Sequence, residues 1–312
     1  MTAAIRRTSP LTAVTAALAL GLALSACGSN DTSKPAASSA SSTTGDGAAT
    51  GADAAVTALV PAAVKADGKL SIGIEAQYPP FEFYEADNKT IIGFDADIAA
   101  GLAKHMGLTL VLNDASFDSI IPSLSSGRYD LGISGFTVTA ERVKQVDFVT
   151  YYYEGDGLMV KGGNPAKLAI DETLCGVKIA VLKGSTQALN TVPTLDKACT
   201  AAGKPAMAAM VVPGSSDLGL ALSSGRAEGV LTDGSNAAYT AKLSKGKFEV
   251  APGKAYNPAP FGIAAQKGTG MDAAVQKALE VMLADGSYAQ IAKTWNMTAG
   301  AIEAAKINEV TG

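Results

Sequence analysis

A twelve-residue segment, LSSGRYDLGISG at 124–135, returns 98 residues later as LSSGRAEGVLTDG at 222–234. In each copy a helical pattern runs out at Ser-Ser-Gly, where a glycine can end the helix. A short apolar strand follows and finishes in small polar residues, Ser134-Gly135 in one copy and Thr232-Asp233 in the other. The surrounding order repeats as well. Strand-like runs at 70–75, 109–113, 130–134, 178–182, 209–212 and 229–232 alternate with amphipathic stretches such as 94–107 and 186–203. Such alternation predicts an α/β protein with mainly parallel strands, and the echo predicts two lobes of similar build.

The first 27 residues stand apart from this pattern. Arg6 and Arg7 precede an apolar run of 14 residues at 11–24, too short for a membrane span, and LSAC ends at Cys27. This layout reads as an export signal, and the small residues before the cysteine resemble the lipobox of bacterial lipoproteins, in which that cysteine is lipidated. Residues 28–66 hold no aromatic side chain and few large apolar ones. They bury too little to offset their ordering entropy, so a flexible, disordered tether is expected there. Without the leader, 23 basic residues face 29 acidic ones. A net charge of −6 with no basic cluster argues against a nucleic-acid partner. Cys175 and Cys199, 24 residues apart in an exported chain, predict a disulfide rather than two separate thiols. One histidine and no paired cysteine motif predict neither a metal site nor a cofactor, and His105 is expected on the surface at a helix end.

In open α/β sheets ligands lie beyond the carboxyl ends of the strands. Four such ends carry polar or glycine-rich loops: 75–80, 134–139, 182–187 and 232–234. The motifs IGIEAQYPPFEFYE…GFDADIAAGLAK, FDSIIPSLSSGRYDLGISGFTVTAERVKQVDF, VLKGSTQ and VLTD occur there in order, across residues 67 to 296. In this they resemble the extracellular solute-binding proteins, family 3, of polar amino-acid ABC importers. The resemblance implies a two-lobed, type II periplasmic-binding-protein-like fold with a two-strand hinge. Lobe 1 would hold 67–151 and 262–312, and lobe 2 157–256. Gly155 and Gly157 would serve one hinge strand, and Pro258 and Pro260 the other.

The resemblance also assigns roles. A guanidinium matches a planar carboxylate with two parallel charge-assisted hydrogen bonds. Spacing alone would leave Arg142 a surface residue paired with Glu141 or Asp147; the T-x-T-x-x-R pattern of Thr137, Thr139 and Arg142 implies instead the clamp for a ligand's carboxylate. Ser185 and Thr186, which on their own read as a helix cap, would complete that clamp. Asp233, otherwise an ordinary turn residue, would pair with the ligand's ammonium, helped by the Thr137 hydroxyl and the Gly135 carbonyl. Tyr78 and Phe117 would wall the ligand, although a phenylalanine is more often simply core. Glu75 ends the first strand and would meet a cationic side chain.

Together these readings describe a monomeric, lipid-anchored receptor on the outer face of the cell membrane. It would close on a free polar amino acid, a basic one by the Glu75 argument, and deliver it to a membrane permease. The alternatives are an exported dehydratase-like enzyme, with Glu75 or Lys183 in a catalytic role, and a ligand-sensing receptor. Glutamine, cystine and opine-like conjugates remain as alternative ligands.

Overall fold

The structure, a computed structural model, describes residues 51–310. Its strands are β1 (Lys69–Ile74), β2 (Gln77–Tyr78), β3 (Glu82–Tyr84), β4 (Ile91–Ile92), β5 (Thr109–Asp114), β6 (Leu131–Gly132), β7 (Val146–Lys161), β8 (Lys178–Leu182), β9 (Ala208–Val212), β10 (Gly229–Asp233), β11 (Phe248–Val250) and β12 (Tyr256–Gln266). Its α-helices are α1 (Ala54–Leu59), α2 (Ala62–Asp67), α3 (Phe94–Met106), α4 (Phe117–Ser125), α5 (Ala140–Val143), α6 (Val192–Ala201), α7 (Ser216–Ser223), α8 (Gly234–Leu243), α9 (Met271–Ala284) and α10 (Ser287–Thr294).

One sheet runs through the protein in the order β5-β1-β6-β12-β7-β10-β8-β9, with β11 also on β7; β2, β3 and β4 form a separate small sheet. Each end is parallel: β5, β1 and β6 in one lobe, β10, β8 and β9 in the other. The two lobes are joined by β7 and β12, which run antiparallel to each other with register shifts after Tyr256 and Phe261. The α/β class read from the alternation and the two lobes read from the echo are therefore present. Both copies of the echo close their helix in the same way, Gly127 and Gly225 taking left-handed φ values of 70° and 73° that glycine adopts without a Cβ penalty.

Close backbone approach, rather than a special φ, explains Gly157. A Cβ there would lie 2.8 Å from the Gly234 Cα, where β7 passes the start of α8. The 186–203 helix opens with a wide π turn over Gln187–Thr191 before α6. Pro193 has no N–H to return to the preceding turn, which favours the wider winding.

Three expectations need correction. The fold starts before residue 67. Asp53 caps α1 by accepting from the Ala55 and Val56 amides at 2.8 and 3.2 Å, and Val56 and Val60, one helical turn apart, are buried in the core that includes α3 and α9. The composition of 28–66 hid two apolar residues at the one spacing that lets a short helix dock, so the disordered reading fails for the part of it from residue 53 on. His105 does end α3, but only 6% of it is exposed. The same early helices cover it: its carbonyl accepts from Asp53 N–H at 3.0 Å, and its Nε2 lies 3.5 Å from Asp285 Oδ2. Finally, β6 is only two residues long, against an expected run over 130–134, because Ser134 and Gly135 leave the sheet to line the cleft. Cys175 and Cys199 form the expected disulfide. The leader, Cys27 and the first part of the tether lie outside the described residues.

Candidate functional site

Arg142 owes its position to two local devices. Thr139 Oγ1 accepts the Arg142 N–H at 3.2 Å and caps α5, a single turn leading directly into β7. The Thr137 carbonyl accepts from Arg142 Nη1 at 2.8 Å, which turns the guanidinium inward. From the other lobe the Gly184 carbonyl accepts from Nη2 at 3.0 Å. Phe117 and Phe136, stacked with centroids 4.8 Å apart, pack against the guanidinium at 5.5 and 5.6 Å. Arg142 is 8% exposed, and among the described residues no carboxylate forms an ion pair with it; Glu141 and Asp147 are taken by Lys144 and Lys267. Burial lowers its pKa to about 10, against a weaker upward pull from the Asp233 charge. A buried, unpaired cation is expensive, and donor capacity of this guanidinium is left facing the cavity.

Across the cleft stands an acid. Asp233 occupies the cap position of α8 but does not cap it. Instead its Oδ2 accepts from Tyr78 Oη at 2.6 Å and its Oδ1 from Gln187 Nε2 at 2.7 Å. Asp156 lies directly opposite Asp233 in the β7–β10 pairing, and the same Gln187 amide donates to its Oδ1, also at 2.7 Å. Burial pushes the Asp233 carboxyl well above the usual range, and Glu154 and Asp156 nearby push it further. The site therefore separates a lone cation from an acid-rich wall.

The third corner is Glu75, just past the end of β1. Its N–H donates to Ser134 Oγ at 3.2 Å. Its carboxylate accepts from Ser215 N–H at 2.9 Å and Ser215 Oγ at 2.8 Å, both from the loop between β9 and α7 in the other lobe. Burial raises its pKa to about 7 against the pull of those two bonds, with Asp114 and Asp118 adding to the rise. Further bonds cross the cleft. Thr137 and Thr186 hydroxyls meet at 3.1 Å, and Asn236 Nδ2 donates to the Pro79 carbonyl at 2.6 Å. Ser185 Oγ accepts the Ala188 N–H at 3.2 Å and opens the following helix. The lobes are in a closed arrangement.

All nine residues singled out in the sequence, Glu75, Tyr78, Phe117, Gly135, Thr137, Arg142, Ser185, Thr186 and Asp233, line one cavity between the lobes. Tyr78 does more than wall it, since its hydroxyl ties β2 to β10. Gln187, Ser134 and Thr232 also line the cavity, while Ser215 and Asp156 act from just behind it; sequence reading singled out none of the five, although the first three lie in the strand-end loops it placed at the cleft. Gln187 was within reach, adjoining the GST motif. Ser215 and Asp156 were not, because their roles depend on contacts 140 and 31 residues away in sequence. His105 is remote on α3, and Lys183 is paired with Asp118 at 2.8 Å. Among the described residues no cluster of His, Cys, Asp or Glu is arranged to hold a metal.

The sequence pattern of the bacterial extracellular solute-binding proteins, family 3, matches residues 70–298. The chain belongs to this family. Arginine-binding protein ArgT of Corynebacterium glutamicum is 31% identical over 250 residues, which is 80% of this chain and 81% of ArgT. An ancestral arginine-binding protein bound to arginine is similar with a TM-score of 0.65 and 35% identity, covering 73% of this chain and 98% of that one. The same comparison with an ancestral arginine-binding protein bound to glutamine gives 0.66 and 35%, over 74% and 98%. As a family 3 solute-binding protein the chain has two halves and the strands that connect them, with the cavity between.

Proposed function

We propose that this protein binds a free polar amino acid in its cleft and delivers it to the permease of an ABC importer. The observation that carries this reading is the buried Arg142 with no counter-ion, set across the cavity from the buried Asp233. A zwitterion supplies both missing partners, its carboxylate to Arg142, Ser185 and Thr186, its ammonium to Asp233, Thr137 and the Gly135 carbonyl. Phe117 and Tyr78 flank the space between. Glu75 adds a preference for a cationic side chain, in keeping with the arginine named for two of the relatives. Lobe 1 comprises 67–151 and 262–312 together with the α1–α2 segment, lobe 2 comprises 157–256, and β7 and β12 hinge between them near 152–156 and 257–261. Ligand contacts available only when both lobes engage drive closure. The chain acts as a monomer, held at the outer face of the membrane through lipid on Cys27, without cofactor or catalytic step. The test is Arg142→Ala, which abolishes amino-acid binding in this account; retained affinity in a folded variant refutes it.

One observation favours a second ligand class. Both Glu75 oxygens already accept hydrogen bonds from Ser215, so an uncharged side chain such as glutamine's leaves no orphaned carboxylate. Titration of glutamine beside arginine decides between them.

A further inference from the structure

Two acids lie beneath the cleft floor and serve no ligand directly. Glu82 on β3 and Asp95 in the first turn of α3 are both 0% exposed. They grip adjacent residues of the cavity lining. Ser134 Oγ donates to Glu82 Oε1 at 2.5 Å, and Gly135 N–H donates to Asp95 Oδ2 at 3.0 Å. Tyr151 Oη fills the other Asp95 oxygen at 2.8 Å. Glu82 Oε2 has no such donor, although it is fully buried. Among the described residues no Lys, Arg or His pairs with either acid. The titratable groups that face them are Tyr151 from β7 and Glu75 just past β1, while Tyr78 is the cross-strand partner of Glu82; Asp97, two residues further along α3, is turned away to the Trp295 indole. Two carboxylates that grip adjacent residues and act on each other, with no cation between them, cannot both remain charged at such depth.

We infer that Glu82 and Asp95 share one proton, with Glu82 as the neutral acid donating from Oε2 to an Asp95 carboxylate. Together they position the Ser134–Gly135 turn. Asp95 has two donors already, so it is the member that keeps the charge. Glu82 has one donor and a free oxygen, so it is the member that carries the proton. Burial, then the Asp95 charge, drives the Glu82 carboxyl far above its ordinary range, in line with this division. The chain reaches the ligand through Ser134 Oγ, which accepts the Glu75 N–H. The consequence for ligand rests on the proposed amino-acid site; the proton itself does not.

The sign of the linkage follows. A carboxyl whose pKa is raised on folding supports the fold fully below its unfolded value and loses that support as pH rises toward the folded one. The native protein must therefore hold a proton that the unfolded chain releases above about pH 4.5. Glu82→Gln keeps both bonds, the amide oxygen accepting from Ser134 and the amide N–H donating to Asp95, and removes the titration. Its melting temperature should exceed that of the unsubstituted protein by a margin that grows from pH 5 to pH 8, reaching at least about 3 °C. Asp95→Asn, which turns an N–H toward Gly135 or Tyr151, should lower it at every pH. Infrared difference spectra of the two proteins at pH 8 should show a carboxylic-acid carbonyl band lost in Glu82→Gln. A pH-independent margin, absence of that band, or a Glu82→Gln chain that does not fold overturns the inference. All three readouts are made without ligand, so they stand apart from any failure of the amino-acid reading.

Discussion

Closing the cleft over Glu75 should move a proton, by an amount that reports the ligand's side chain. Solvated in an open cleft, the carboxyl would titrate near its ordinary 4.5, and in the closed form burial takes it to about 7. At pH 6 a carboxyl with those two values goes from almost fully ionised to mostly protonated, an uptake of about 0.9 proton per ligand bound. A pKa raised on closure favours the closed form most below about pH 4.5 and penalises it as pH climbs through 7. The full penalty is about 3 kcal/mol. For a ligand with an uncharged side chain, affinity should therefore fall about 40-fold between pH 5 and pH 7. A ligand that brings a guanidinium or ammonium to Glu75 keeps it ionised, so it should bind with no uptake and little pH dependence over the same range. Calorimetry at pH 6 in buffers of different ionisation enthalpy measures the uptake directly. Glutamine should show it, arginine should not, and Glu75→Gln should show it with neither. Equal uptake for arginine and glutamine would refute the placement of the side chain against Glu75.

Other perturbations follow from single contacts. Gln187→Ala removes the amide shared by Asp156 and Asp233 and should weaken amino-acid binding by about 10- to 100-fold, read by titration, because two acids then face each other unbridged. Gly157→Ala places a methyl 2.8 Å from Gly234 and should cost about 1–3 kcal/mol of stability in denaturant unfolding. Replacing Cys175 and Cys199 by serine should lower stability by about 3 kcal/mol and leave ligand affinity unchanged, since the bond joins α6 to the segment before β8, away from the cavity.

The cleft was more legible in the sequence than its supports. Residues such as Arg142, Asp233 and Glu75 sit at strand ends or helix starts, but spacing alone left Arg142 on the surface and Asp233 in an ordinary turn, and it was the resemblance of the motifs that gave them roles. Thr137 and Thr139 also act locally, one through its carbonyl and one as a cap. Their partners across the cleft could not be read in the same way. Ser215 is one serine in a turn until a lobe brings it to Glu75, and Asp156 reads as hinge polarity until β10 sets it opposite Asp233. Glu82 and Asp95 lie within motifs that were read only as family signature, and alternation along a strand gives no sign that an acid points inward. The start of the fold was misjudged because Val56 and Val60 are sparse in a polar stretch. Composition averages over a window, whereas docking needs only two apolar residues on one face.

The central claim is that the cleft reads both ends of a zwitterion through Arg142 and Asp233. Its most direct measurement is a calorimetric titration of the protein, unfolded and refolded to strip bound ligand. Arginine, lysine, histidine, glutamine, glutamate and cystine would be compared with the carboxyl-amidated form of whichever binds tightest. The account predicts tight binding of at least one free amino acid, loss of at least about 100-fold on amidation, and no binding of either form by Arg142→Ala. An amidated ligand that binds as well as its parent, or no binding by any of the six to folded protein, would contradict it.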